Sequence, residues 1–345
     1  MFGFPKQDFL STLLSKVGYF RAHNKLQWNH SRGFTVLTYH RICEQVPSFS
    51  YPFDPELLSA TTAEFDWQMH YISQHFKAAK LIDLLRASRD GNPIPPRSIA
   101  VTFDDGFSDN YTQAFPVLKK HQVPATIFVV SDFIDKPEPI WFEVIANAFL
   151  QAPLGSISHA VCGFGLPSAN DRSTRTTELA HALSSAKKVP NSQREEFIEY
   201  LKRTTWNSQS DSSWNQYGRA MTWEQLREMS KNGIDIGSHT VSHPILSQIT
   251  EAQCAKELSD SRLTLLERLG ESPPIIAYPE GRSDSFPSGI SGLASSAGYE
   301  FGVSYVPGVN VPESLQSFYV KRHTVERFMS RERFCAQLAL PTIFG

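Results

Sequence analysis

Apolar runs rich in β-branched and aromatic residues recur along the chain: FTVLTYH (34–40), SIAVTF (98–103), PATIFVV (124–130), GIDIGSH (233–239), PIIAYP (274–279), EFGVSYV (300–306) and FYVKRHTV (318–325). Runs of this length and composition read as strands. Between them the apolar positions switch to helical spacing, in TTAEFDWQMHYISQHF (61–76), DNYTQAFPVLKKH (109–121), TWEQLREMSKNG (222–233) and EAQCAKELSDSRLTLLERLG (251–270). Their first turns carry Thr, Asp or Glu, and two of them close on Gly233 and Gly270, as helix ends do. Alternating β and α elements predict an α/β fold with a parallel sheet and helices outside it, open or closed. The number of strands suits a distorted (β/α) barrel that is incomplete relative to eight repeats.

The segment from about 150 to 217 breaks the alternation. It is rich in Ser, Asn and Thr, contains the helical stretch REEFIEYLKR, and reads as a helical insertion on the main domain. The expected organisation is an amphipathic helical extension over 1–33, a barrel over 34–330 interrupted at 150–217, and a C-terminal helix and tail over 331–345. A chain of 345 residues, 41% of them hydrophobic, is long enough for a sizeable core. Its net charge of -2 gives no reason to expect nucleic acid as a partner. Cys43, Cys162, Cys254 and Cys335 lie far apart with no Cys-x-x-Cys pair, which argues against a thiolate zinc site or a disulfide scaffold and fits a reducing compartment. No apolar run is long enough to span a bilayer, and the first residues hold no signal-type core, so the expected location is cytoplasmic. Residues 6–32 carry Lys6, Lys16, Arg21, Lys25 and Arg32 against Asp8, with Phe9, Leu10, Leu13, Leu14, Val17 and Phe20 at helical spacing. Such a stripe packs on the main domain or lies on the anionic inner face of a membrane.

Candidate chemistry begins in SIAVTFDDGFSDNY (98–111), where Asp104 and Asp105 end a strand and the chain turns on Gly106. One Asp-Gly is an ordinary turn. Two adjacent carboxylates repel unless a cation stands between them or binds one of them. A second strand end carries SHTVSHP, with His239 and His243 four residues apart and able to share one cation. In parallel α/β sheets the C-terminal strand ends converge on one face. Two imidazoles and one carboxylate with an open position suit a catalytic zinc, and would also accept cobalt, nickel or iron. One aspartate then holds the metal while the other serves as base toward water. A zinc protease is disfavoured, because Thr240 stands where the His-Glu-x-x-His arrangement needs its glutamate.

TFDDG (102–106), SHTVSHP (238–244) and AYPEG (277–281) resemble, in order and spacing, the motifs of the polysaccharide deacetylases, carbohydrate esterases related to the nodulation factor deacetylase. VLTYHRI (36–42) and MTWEQLREMSKNGIDIGSH are similar to the branch that includes exopolysaccharide deacetylases. The resemblance covers roughly 34–330. It implies a distorted (β/α) barrel that removes acetyl groups from acetylated sugars with a divalent ion. It assigns Asp104 as general base, Asp105 as the metal-binding carboxylate and His239 and His243 as the other ligands, with a backbone N–H near Tyr278 helping to hold the oxyanion. The family's arginine-containing third motif is replaced here by AYPEGR, with Arg282 close by, and its late Leu-x-His motif, which supplies the acid, is absent.

Two histidines are candidates for that acid. His40 ends the first strand, which in a barrel closes beside the last. His323, in VKRHTVE, is nearest in chain order, but strand neighbours face opposite ways, so the same motif can present Arg322 inward as a substrate-binding residue. His40 is preferred. Trp141, read as part of a loop after Pro137 and Pro139, Trp223 and Tyr278 are candidates for stacking on a sugar ring, with simple packing as the alternative for Trp223. The expected function is N-deacetylation of an acetamido sugar in a polysaccharide, oligosaccharide or precursor. The alternatives are an O-acetyl esterase, another amide deacylase, or a carbohydrate-binding barrel without turnover.

Overall fold

The computed structural model describes residue 11 and residues 33–44, 51–136, 138–157, 167–205, 218–327 and 329–344. The basic amphipathic stretch at 6–32 lies outside the described residues, apart from Ser11.

Seven parallel strands form the main sheet: β1 (Phe34–Tyr39), β5 (Ser98–Phe103), β6 (Ala125–Val129), β7 (Asp235–Ser238), β8 (Ile275–Ala277), β9 (Phe301–Val303) and β10 (His323–Thr324), in the order β10-β1-β5-β6-β7-β8-β9. The short β4 (Lys77–Ala78) adds to the N-terminal end of β5, while β2 (Arg41–Cys43) and β3 (Leu58–Thr61) form a separate parallel pair beyond β1. The sheet curls until its two edges approach, with a parallel bridge between Val303 and Val320 just ahead of β10. The result is a distorted, incomplete (β/α) barrel. All six residues of β1 and of β5 are buried, as strands covered on both faces must be, and that is why they appear in the sequence as unbroken apolar runs.

Outside the sheet lie α1 (Thr62–His75), α2 (Leu81–Arg89), α3 (Phe115–His121), α7 (Trp223–Lys231), α8 (Glu251–Leu269), α9 (Ile290–Ser296), α10 (Arg331–Ala339) and the short α11 (Pro341–Phe344). Three of them start on reciprocal capping boxes, Thr61 with Glu64, Thr222 with Gln225 and Thr250 with Gln253, which satisfy backbone donors that a helix start otherwise leaves open. Gly270, at φ 83°, ends α8. The amphipathic run from 109 begins as a π-turn over Asn110–Ala114 before it becomes α3.

α4 (Trp141–Gln151), α5 (Arg172–Ala186) and α6 (Asn191–Thr205) form a helical layer with its own core. Every residue of α4 from Trp141 to Leu150 is buried. Leu179, Ala182, Leu183, Phe197, Ile198 and Leu201 pack on it, and the cluster runs on into Tyr51, Phe53, Phe107, Val130 and Ile245. Each fully buried Phe or Leu there contributes on the order of 2 kcal/mol of transfer free energy, so this layer is fixed to the barrel by the same force that closes the barrel core.

Candidate active site

The turn after β5 is built to present two carboxylates. Asp104 N–H still donates to Tyr39 O (3.0 Å), extending the ladder, and then Asp105 (φ 74°) and Gly106 (φ 92°) both enter the left-handed region. Only glycine fits easily at 106, where a Cβ would also stand 3.1 Å from Ile134 Cδ1 and Val129 Cγ1. Val130 N–H to Asp105 O (3.2 Å) and Met221 N–H to Gly106 O (2.9 Å) hold the turn in place.

Across from it the chain leaves β7 at His239 and makes a loop in which Thr240 (φ 68°) and His243 (φ 58°) are again left-handed. Asp105 Oδ1 lies 3.5 Å from His239 Nε2 and 3.5 Å from His243 Nε2, and one donor atom from each of the three residues falls within 4.8 Å of the others. Bonds of roughly 2.0–2.1 Å in a tetrahedron set neighbouring donors roughly 3.3–3.4 Å apart, so these spacings match three corners around a single ion. His239 Nδ1–H donates to Ala277 O (2.8 Å), which leaves its Nε2 lone pair facing Asp105. The three buried side chains therefore fit a divalent ion.

The electrostatics of the ion-free site agree. Burial, reinforced by the neighbouring Asp104, pushes the Asp105 carboxyl well above its ordinary range. Burial lowers both His239 and His243, the latter well below its usual value with His239 adding to the effect. Burial also acts to raise Asp104, but Arg322, joined by His239 and His40, outweighs it and holds that carboxyl below its ordinary value. Arg322 Nη1 and Nη2 reach the two Asp104 oxygens at 2.7 and 2.8 Å, its Nε–H donates to Ser304 O, and Nη1 also lies within hydrogen-bond distance of Thr38 Oγ1 and Thr102 Oγ1. The two adjacent aspartates are thus electrically distinct, one neutralised by an arginine and the other open toward imidazoles.

Residues 91–302 match the sequence profile of the polysaccharide deacetylases. The chain belongs to the polysaccharide deacetylase family. YxkH of Bacillus subtilis, named as a polysaccharide deacetylase at family level only, is 25% identical over 224 residues, 65% of this chain and 50% of YxkH. The poly-beta-1,6-N-acetyl-D-glucosamine N-deacetylase of Escherichia coli K12 is 27% identical over 111 residues, 32% of this chain and 16% of that protein. The chain spans half or less of the length of these curated relatives. The Streptococcus pyogenes deacetylase PplD, solved with acetate, superimposes with a TM-score of 0.58 at 19% identity, over 90% of this chain and 99% of that one, a likeness of fold.

The structure brings Asp104, Asp105, His239, His243 and His40 to one end of the barrel. His40 follows β1, half-buried, its ring 5.9 Å from that of Tyr305 and within electrostatic reach of Asp104 and His239. Burial lowers its pKa to about 4, against the opposing pull of Asp104. His323 is fully buried and, as the strand neighbour of Arg322, faces the other way.

Four expectations for substrate contacts are corrected. Arg322, 1% exposed, is the partner of Asp104 and has no surface to offer a sugar; it supplies the guanidinium that AYPEGR had left in doubt, whereas Arg282 is exposed. Tyr278, also 1% exposed, turns its ring into the cluster formed with α8 and α9, against Phe286 and the Cα of Gly302, where any Cβ would collide with its hydroxyl. Its N–H is committed to Val303 O (3.2 Å) and Gly281 N–H to Pro279 O (2.7 Å), while Glu280 between them turns at φ 61°. Trp223 is 6% exposed in the barrel's packing layer beneath Arg268. Trp141 is no loop residue: it opens α4, is 8% exposed, and donates its indole N–H to His243 O (2.9 Å).

Sequence reasoning also missed Glu257 of α8. Its carboxylate accepts from Val241 N–H (2.8 Å), Ser242 N–H (3.0 Å) and Ser242 Oγ (2.8 Å), clamping the histidine loop from outside.

The raised Asp105 predicts a proton release. Because burial raises the Asp105 carboxyl and a bound cation demands the ionised form, loading zinc is expected to release protons, and affinity should tighten as pH rises. Calorimetry in two buffers of different ionisation enthalpy reads this directly; identical heats would rule it out.

Proposed function

We propose that this chain is a metal-dependent hydrolase that removes N-acetyl groups from an acetamido sugar in a glycan or its precursor. One observation carries the proposal: an arginine-held, ionised Asp104 stands beside a buried Asp105, His239 and His243 set with the spacing of a three-ligand site, at the C-terminal end of a parallel barrel. Zinc is the ion that two imidazoles and one carboxylate suit best, and it supplies Lewis-acid polarisation of an acetyl carbonyl and of the attacking water.

The chain's own groups then divide the work. Asp104, kept ionised by Arg322, takes the proton of the water whose oxygen adds to the acetyl carbon. A backbone N–H of the loop after β8, in which Glu280 sits at φ 61°, would serve as a donor to the developing oxyanion. His40 enters neutral, so the proton available for the leaving nitrogen is the one Asp104 has just accepted. Arg322 makes the protonated Asp104 a strong acid, and His40 relays that proton to the nitrogen as the C–N bond breaks, leaving acetate and a free amine.

The E. coli relative's name points to β-1,6-linked N-acetylglucosamine as the substrate class to test first. Acetate release from such oligomers by zinc-loaded protein is the decisive assay, with His40→Ala beside wild type. Activity on the amide with a loss of about 10²-fold or more in His40→Ala supports the relay. No acetate from fully loaded wild type, on oligomers or on N-acetylated precursors, would sink the reading. The resting neutrality of His40 also favours a second reading, an O-acetyl esterase, because an ester leaving group needs no proton in advance. That reading predicts ester turnover unaffected by His40→Ala.

A further inference from the structure

We propose that Trp141 is a positioning residue for the metal, so that the helical layer of α4–α6 completes the metal site rather than covering it. The two histidines are held differently. His239 has its outer ring nitrogen fixed by Ala277 O at 2.8 Å. The corresponding Nδ1 of His243 is buried with no hydrogen-bond partner among the described residues, so nothing there fixes this ring in the usual way. His243 also sits at φ 58° in a loop where β-branched Thr240 is at φ 68°, conformations that persist only when neighbours impose them.

Residues 240–242 are imposed from the barrel side: Ser131 N–H donates to Thr240 O (3.1 Å), Asp132 N–H to Val241 O (3.0 Å), and Glu257 takes the Val241 and Ser242 amides. His243 itself is held from the side of α4. Trp141 Nε1–H donates to its carbonyl at 2.9 Å, and the Phe142 ring meets its imidazole edge-on at 5.3 Å between centroids. Trp141 is backed in turn by the buried Arg194 of α6, whose guanidinium carbon lies 4.7 Å from the indole centroid. The first turn of α4, stacked against α6, thus takes the place of the outer hydrogen bond that His243 lacks.

This inference rests on the metal reading of the site but needs no substrate for its test. Zinc affinity of the full chain is measured by competition with a chromophoric chelator, and the ligand field is read from the visible absorption of the cobalt-substituted protein. Trp141→Phe keeps the ring packing and deletes the N–H; it is expected to raise the zinc dissociation constant about tenfold or more and to alter the cobalt bands. Trp223→Phe, at an equally buried indole packed in the barrel core, should leave both unchanged. A folded Trp141→Phe chain with wild-type zinc affinity and cobalt spectrum overturns the proposal. Should that variant not fold, wild type carries the test by linkage: zinc must slow hydrogen exchange in residues 141–151, and no change there overturns the proposal equally. A wild type that takes up no zinc removes the metal reading itself and this proposal with it, whereas zinc uptake without turnover leaves it standing.

Discussion

Asp104→Asn is expected to lower acetate release by about 10²–10⁴-fold, the range typical of a lost general base, while the chain still takes up zinc. The separation follows from the division between neighbours: Asp105 faces the imidazoles, whereas both Asp104 oxygens face the Arg322 guanidinium at 2.7 and 2.8 Å. An amide there offers one acceptor and one donor to a fork that only donates, so one Arg322 N–H loses its partner inside a buried site. Some stability goes with it, and the assay belongs well below the variant's unfolding temperature, with circular dichroism and zinc content measured on the same sample. Loss of zinc along with activity would mean that Asp104 is a ligand, and near-normal turnover would mean that the base lies elsewhere.

What the sequence made legible follows from where chemistry meets regular structure. A strand buried on both faces can only be a short apolar run, so β1, β5, β6 and their partners could be recognised in the chain together with the barrel they build. Asp104, Asp105, His239 and His243 could be picked out because polar residues directly after such runs must emerge at one barrel end. Pairing across the barrel was not legible. Arg322 lies 218 residues from Asp104, and what joins them is the register of β10 on β1, set by the closure of the sheet and not by any local pattern. Trp141 was misread for a related reason. α4 begins two residues after Pro139, the residue between them, Ile140, offers no side-chain cap to mark a helix start, and an indole in its first turn looked like a loop residue. Tyr278 and Trp223 lie where a strand end and a helix cap were expected, but the side a ring faces is decided by tertiary packing. Glu257 is one acid among several on α8 and carries no sequence signal at all.

Arg322→Met tests the same pair from the other side. Removing one partner of a buried ion pair leaves an uncompensated charge, which typically costs 3–5 kcal/mol, about the largest loss any single substitution here should produce. The linkage sign is fixed by the direction of the Asp104 shift. Its folded pKa lies below its unfolded value of about 3.9, so the pair's contribution is fully present above that pH and is lost only as pH falls through the depressed folded value. Without Arg322, burial acts on Asp104 with that counterweight gone and pushes the carboxyl upward. The acid limb of the variant's pH–activity profile should therefore move to higher pH than in wild type. Arg322→Lys should recover stability better than activity, since a single ammonium cannot bridge both carboxylate oxygens as the planar fork does. If Arg322→Met kept the wild-type acid limb, Asp104 would not be the group whose ionisation governs turnover, and the assignment of the base would have to be abandoned even if stability fell as expected.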